Sequence, residues 1–253
     1  MKKNKSYPIY RFIKWLVWLF YPKVTVEGLE NLPEEPCLIV ANHSQMHGPI
    51  ACELYFPGDR YTWCDGHMMH LKEVPAYAYR DFWSAKPKWQ RPFWKMMSYI
   101  IAPIAVCVFN NARTIGVYRD SRIISTFKNT VKALQGGSHV VVFPEHYAPY
   151  NHIVNDFQEN FVDIAKLYYK RTGKALTFIP MYIAPNLNKM FIDKGISYDY
   201  DNAGENERRR VCDYLMDTIT ARAESLPEHR VVPYPNMPKK DYPTNIPCEV
   251  NAK

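Results

Sequence analysis

Three short runs constrain this chain most: CLIVAN at 37–42, HVVVF at 139–143 and LTFIPMYIA at 176–184. Each is apolar with little interruption, has strand length, and lacks the alternation of a sheet with one wet face. Strands of this kind need cover on both sides, and the segments between them can supply it. Ile123, Ile124, Phe127, Val131 and Leu134 fall at helical spacing, with Asp120 or Ser121 as a cap and Gly136-Gly137 as a stop. Asn155 or Asp156 reads as the start of another helix, carrying Phe157, Phe161, Ile164, Ala165 and Tyr168 on one face and ending at Gly173. A last amphipathic helix spans 205–227 and closes at Pro227. VTVEGLENLP (24–33) opens with a short strand, and RYTWC (60–64) and TIGVY (114–118) add two more. Strands alternating with helices predict an α/β domain with a largely parallel central sheet flanked by helices.

The ends of the chain differ from this middle. Residues 1–22 begin with lysines and continue as an apolar stretch interrupted by Lys14, with no small-residue cleavage site behind it. Ile9, Phe12, Ile13, Leu16, Val17 and Phe20 lie at helical spacing beside Arg11 and Lys14, which predicts an amphipathic helix lying in a membrane interface. A terminal helix packed on the core fits the same pattern. The stretch 93–109 is also apolar but is broken by Lys95 and Pro103, and is expected as a buried or membrane-dipping helical hairpin. Residues 231–253 are Pro-rich and short of apolar side chains, and read as an extended surface tail. The expected organisation is thus an interfacial helix at 1–22, an α/β domain at 23–230 and a tail at 231–253. A net charge of +7 suits an anionic partner such as a membrane surface, and no nucleic-acid module is recognisable. The Arg208-Arg209-Arg210 run reads as a solvated helix face. The six cysteines form no C-x-x-C pair and read as reduced, buried thiols of a cytosolic protein.

In a parallel sheet, ligands bind beyond the carboxyl ends of the strands. Two of the apolar runs lead straight into ionisable side chains there: NHSQMHG follows CLIVA, and PEH follows VVVF. Arg119 ends a third strand. His43, Arg119 and Glu145 are therefore the candidate chemistry.

The order of these motifs resembles the glycerolipid acyltransferases related to 1-acylglycerol-3-phosphate acyltransferase. That family's first motif is Asn-His, four residues, then Asp, and Asn42 and His43 match its start. A strand ending in Arg is matched by IGVYRD at Arg119. Phe-Pro-Glu-Gly is matched through Phe143, Pro144 and Glu145, and an apolar strand carrying Pro is matched by FIPMYIA. The resemblance covers roughly residues 24–225, and it implies a peripheral enzyme on the cytoplasmic face of the cell membrane. Such an enzyme moves a fatty acyl group from acyl-CoA or acyl-carrier protein to a hydroxyl of a lysophospholipid or related acceptor, with no cofactor and no metal. By resemblance His43 is the general base, Arg119 binds the acceptor's phosphate, and Glu145 lies at the acceptor site with Phe143, Pro144 and His146. The chemistry suits the residues: a hydroxyl attacking a thioester must lose a proton, and a neutral imidazole can take it. The 93–109 stretch would line an acyl groove.

The chain also departs from the pattern. Gly48 stands where the family has the Asp that orients the histidine, and His146-Tyr147-Ala148 replaces Gly-Thr-Arg. Asp65 or Glu145 is expected to reach the His43 ring in its place, or His47 or His146 to share the work; the remaining possibility is a lipid-binding homologue without catalysis. A metal-dependent alternative uses His43 and His47, four apart, with Glu145 or His146, or uses Asp65, His67 and His70.

Overall fold

The structure, a computed structural model, describes residues 6–84, 86–202 and 204–246. The leading lysines, Cys248 and the tail beyond Ile246 lie outside the described residues. Elements are numbered along the chain. Two compact units are present: one of residues 1–21 and 61–130, the other of residues 22–60 and 131–253.

The larger unit contains a sheet in the order β1 (Thr25–Glu27), β9 (Lys189–Ile192), β8 (Thr177–Ala184), β2 (Leu38–Ala41), β5 (His139–Val142), with β10 (Ile196–Ser197) also on β8. The β1–β9, β2–β8 and β2–β5 pairs are parallel; β8–β9 and β8–β10 are antiparallel. All four residues of β2 are buried, as the unbroken apolar run requires. Val140, Val141 and Val142 sit beside Leu38, Ile39 and Val40 on one side, and Phe178, Ile179 and Pro180 on the other.

Pro180 lies inside this sheet without costing it a ladder bond. Its carbonyl accepts from the Asp193 amide at 3.1 Å, so its missing N–H faces the same side. There β9 has ended at Ile192, opposite Met181, and β10 has not yet begun at Ile196, opposite Phe178. Helices α2 (His47–Tyr55), α6 (Ile164–Thr172) and α7 (Gly204–Glu224) belong to the same unit. The α7 positions Val211, Cys212, Leu215, Met216, Ile219 and Ala223 are buried at helical spacing. The predicted α/β architecture, with a mostly parallel sheet flanked by helices, is the observed one.

The start of the helix expected from Asn155 is different. Asn155–Phe157 is strand β7, paired antiparallel with β6 (Glu145–Pro149), because Asn155 bonds across the hairpin to His146 instead of capping. The helix begins only at Ile164, although Phe157, Phe161, Ile164, Ala165 and Tyr168 are all buried as the stripe implied. Arg208, Arg209 and Arg210 do not form a free basic face: they pair with Asp163, Asp213 and Glu207, each at 2.6 Å.

The smaller unit holds α1 (Tyr7–Phe20), all of β3 (Arg60–Asp65) but its first residue, α3 (Val74–Ala78), α4 (Arg91–Asn111) and β4 (Thr114–Val117), with β3 and β4 parallel. From its end, α5 (Ile123–Gln135) leads on to β5. The 93–109 stretch is one continuous helix rather than a hairpin. It carries Pro103 within it, and residues 88–111 are long and apolar enough to cross a membrane. Most of it is not buried. Helix α1 rests on α4, with Ser6 at its head bonded to Asn111 (2.9 Å) and Cys107 (3.5 Å).

Candidate functional site

Beyond Ala41 the chain leaves the sheet, and Asn42 controls how. Its side-chain amide acts as one more ladder position on β8: Oδ1 accepts from the Ile183 N–H at 2.7 Å, and Nδ2 donates to the Ile183 carbonyl at 3.0 Å. Nδ2 also donates to Ser44 Oγ at 2.8 Å, and that hydroxyl donates to Ile183 O at 3.3 Å. Ser44 is buried and its proton is engaged, so it is a strut of the turn and not a nucleophile. Ser44 and Gln45 both take left-handed φ, 47° and 55°, a conformation costing about 1–2 kcal/mol per non-glycine residue unless surrounding bonds hold it.

Glu145 holds the same turn from the β6–β7 hairpin. One carboxylate oxygen accepts from the His43 backbone N–H and the other from the Asn155 N–H at 3.0 Å. Burial pushes this carboxyl up to about 7, while the two amides pull it down. A raised folded pKa favours the folded state below the ordinary value of 4.5, and that contribution is lost as pH rises through about 7. The loss amounts to roughly 3 kcal/mol at 1.4 kcal/mol per unit. Glu145→Gln should abolish this slope. Urea unfolding midpoints taken from pH 4.5 to 7.5 check it, and an unchanged slope in the variant would show that another group is responsible.

The His43 ring meets Phe143 edge-on, with centroids 5.2 Å apart. Burial keeps the imidazole below its usual range, opposed in part by backbone groups of Gln45 and His43, so it is neutral at pH 7 as a base must be. Nδ1 is buried with no hydrogen-bond partner among the described residues.

Among the described residues none of the expected substitutes bonds to Nδ1 of that ring. Glu145 acts on the backbone amide of His43 instead of its imidazole. Asp65 belongs to the smaller unit and is committed there: its Oδ1 accepts from the His67 N–H at 2.9 Å and lies 2.7 Å from His67 Nδ1. His146 Nδ1 accepts from the Ala148 N–H at 3.2 Å, which puts the ring proton on Nε2, 3.5 Å from Asp156. No lone pair of His146 remains for proton abstraction. His47 opens α2 and titrates low through burial and then Lys239. His43 precedes that helix, so the two histidines do not share a helical face. Among the described residues no group of three or more His, Cys, Asp or Glu is arranged to hold a metal ion.

Gly48 is required by the turn. Its N–H donates to the His43 carbonyl at 3.2 Å, and a β-carbon at this position would lie 2.4 Å from that oxygen and 3.0 Å from the Phe143 ring. Pro144 is buried, and its carbonyl accepts from Gln158 N–H at 2.9 Å, which seats the turn before Glu145. Arg119 lies in the smaller unit, exposed after β4, with no hydrogen bond or ion pair among the described residues. The thiols of Cys37, Cys52 and Cys64 are pushed up to about 12 by burial and are inert at neutral pH.

Sequence reasoning missed Gln45, Ser44 and the hairpin role of Asn155. It also missed the smaller unit's own dyad, in which Asp65 fixes the tautomer of His67, stacked 5.7 Å from Tyr77. The spacing D-G-H carried that signal, because an Asp two residues ahead of a turn can reach both the amide and the ring.

No family model matches the chain, and no curated protein matches it. Among solved structures it is similar to the 1-acyl-sn-glycerophosphate (LPA) acyltransferase PlsC from Thermotoga maritima, at 17% identity and a TM-score of 0.44, over 87% of this chain and 84% of that one.

Proposed function

We propose that this protein is a peripheral membrane acyltransferase that moves a fatty acyl group from a thioester donor, acyl-CoA or acyl-carrier protein, to a hydroxyl of a lysophospholipid or related acceptor. The observation that carries the reading is the His43 turn: a neutral imidazole at the carboxyl end of a buried parallel strand, its backbone fixed by Asn42, Ser44 and Glu145. His43 Nε2 takes the acceptor's proton as its oxygen attacks the thioester carbonyl, and the proton passes to the leaving thiolate. No acyl-enzyme is needed, in keeping with the engaged Ser44 hydroxyl and the high-titrating thiols. Arg119, exposed and with no ion pair among the described residues, carries a guanidinium of a shape that suits a phosphate.

The membrane part of the reading rests on the smaller unit. Helix α1 buries only Tyr10 and exposes Ile9, Phe12, Trp15, Leu16, Trp18, Leu19 and Phe20; α4 exposes Phe93, Met96, Tyr99, Ile100 and Ile104. Apolar area of this extent favours insertion into a lipid interface, with the cytoplasmic face of the cell membrane as the proposed location. Phe12→Glu with Trp15→Glu should weaken binding to anionic vesicles by about 100-fold, from the apolar burial of two large side chains. Sedimentation with vesicles measures this, and undiminished binding would place the contact elsewhere.

The activity is tested by acyl transfer from acyl-CoA and acyl-carrier protein to a panel of lysolipids. Vesicle binding without transfer to any acceptor would mark a lipid-binding homologue. One observation favours a second reading. His67, and not His43, has a carboxylate on its Nδ1, which is how an orienting dyad is built. His67→Ala in the same assay separates the two: it should leave transfer intact if His43 is the base.

A further inference from the structure

We propose that the loop 231–243 takes over part of the task of the missing carboxylate, and that Tyr234 is a positioning residue for the His43 ring. The proposal rests on the reading of His43 as the base.

The loop is a fixed part of the larger unit. Its neck is closed by an antiparallel bridge between Arg230 and Thr244 and by the Val231 N–H donating to Pro243 O at 2.8 Å. Val231 and Val232 are buried, and so is Asn245. The Asn245 side chain donates to the Ala223 and Leu226 carbonyls (2.8 and 3.1 Å) and accepts from the His229 N–H at 2.7 Å, which pins the neck to the end of α7. The segment expected as a surface tail is therefore anchored as far as it is described.

From this neck the loop reaches the His43 turn. Gln45 is gripped at both ends of its amide: Nε2 donates to Pro235 O at 3.3 Å, and Oε1 accepts from Tyr242 OH at 3.2 Å. The Tyr234 ring meets His43 edge-on, centroids 5.7 Å apart and planes at 78°, and is itself backed by Tyr147 at 5.4 Å. With Phe143, two aromatic rings border an imidazole whose Nδ1 meets no carboxylate among the described residues. Such contacts restrict rotation of the ring and exclude water, but supply no charge for an imidazolium. Of the charged groups around this turn, Glu145 is spent on the His43 amide, and Lys239 on the loop acts on His47. The loop thus fixes orientation and leaves the charge uncompensated.

The test compares Tyr234→Ala with Tyr234→Phe in the full chain, following the His43 ring by ¹⁵N NMR through a pH titration and measuring kcat and KM for acyl transfer. Wild type and Phe variant should titrate together, low. Tyr234→Ala should move the His43 midpoint up toward 6.5 as water reaches the ring, and lower kcat about 10-fold with KM little changed. Should the Ala variant fail to fold, Gln45→Ala, which releases the loop from the turn, is expected to shift the titration in the same direction. An unmoved titration in Tyr234→Ala, or a Phe variant that behaves like Ala, overturns the proposal even if transfer is robust. A moved titration in a chain without transfer activity upholds the positioning role and removes the acyltransferase reading instead.

Discussion

Replacing His43 by alanine is expected to lower acyl transfer by about 10²- to 10⁴-fold, the usual worth of a general base. The fold should survive. The ring contributes edge contacts with Phe143 and Tyr234, and its removal takes away a buried Nδ1 that has no partner among the described residues. An unsatisfied buried polar group costs about 1–3 kcal/mol, which offsets much of the lost packing. The turn is held by the side chains of Asn42, Ser44 and Glu145 and by the backbone N–H of residue 43, which alanine retains. Rates in single turnover beside thermal unfolding separate the two effects. Unchanged transfer by a folded His43→Ala chain would sink the mechanism and direct attention to His67.

Gly48→Asp is expected to fail as a repair, although it rewrites the first motif in its full form. The β-carbon would meet the His43 carbonyl oxygen at 2.4 Å, a backbone atom that cannot swing away as a side chain can. Relief requires moving the turn that presents His43. Overpacking of this kind costs about 1–3 kcal/mol, and the move breaks the Gly48–His43 backbone bond as well. The variant should be less stable by at least about 2 kcal/mol and slower in transfer than wild type. Chemical denaturation and the acyl-transfer assay measure the two. A faster and equally stable variant would show that the turn adapts, and that only the carboxylate was wanting. Under the proposed mechanism, a His43 base without a carboxylate partner lacks the stabilisation of its imidazolium, and in serine proteases a comparable defect costs about 10⁴ in rate.

The strands CLIVA, HVVV and TFIPMYIA were legible because burial on both faces writes itself locally, as an unbroken apolar run. Asn42, His43 and Glu145 were legible as candidates because each directly follows or nearly follows such a run, at the end of a strand where side chains reach a ligand. The 93–109 helix was misread at Pro103, since a proline inside an exposed helix costs one hydrogen bond without ending it. Asn155 was misread as a cap because a polar residue ahead of an apolar stripe looks the same whether its side chain bonds its own helix or, as here, the carbonyl of His146 nine residues earlier.

What the sequence by itself determined is the material of the site: a buried strand, a histidine at its end, a glycine five residues further on, and a basic, aromatic stretch over the first 20 residues. The roles came only with the tertiary structure. Asn42 meets Ile183 across 141 positions, Glu145 reaches His43 across 102, and Gln45 is held by Pro235 across 190. Bonds over such separations leave no local pattern, because each partner is an ordinary polar residue in its own neighbourhood. Packing alone decided that Glu145 would hold the backbone of His43, that Asp65 would hold His67, and that a loop near the end of the chain would border the ring.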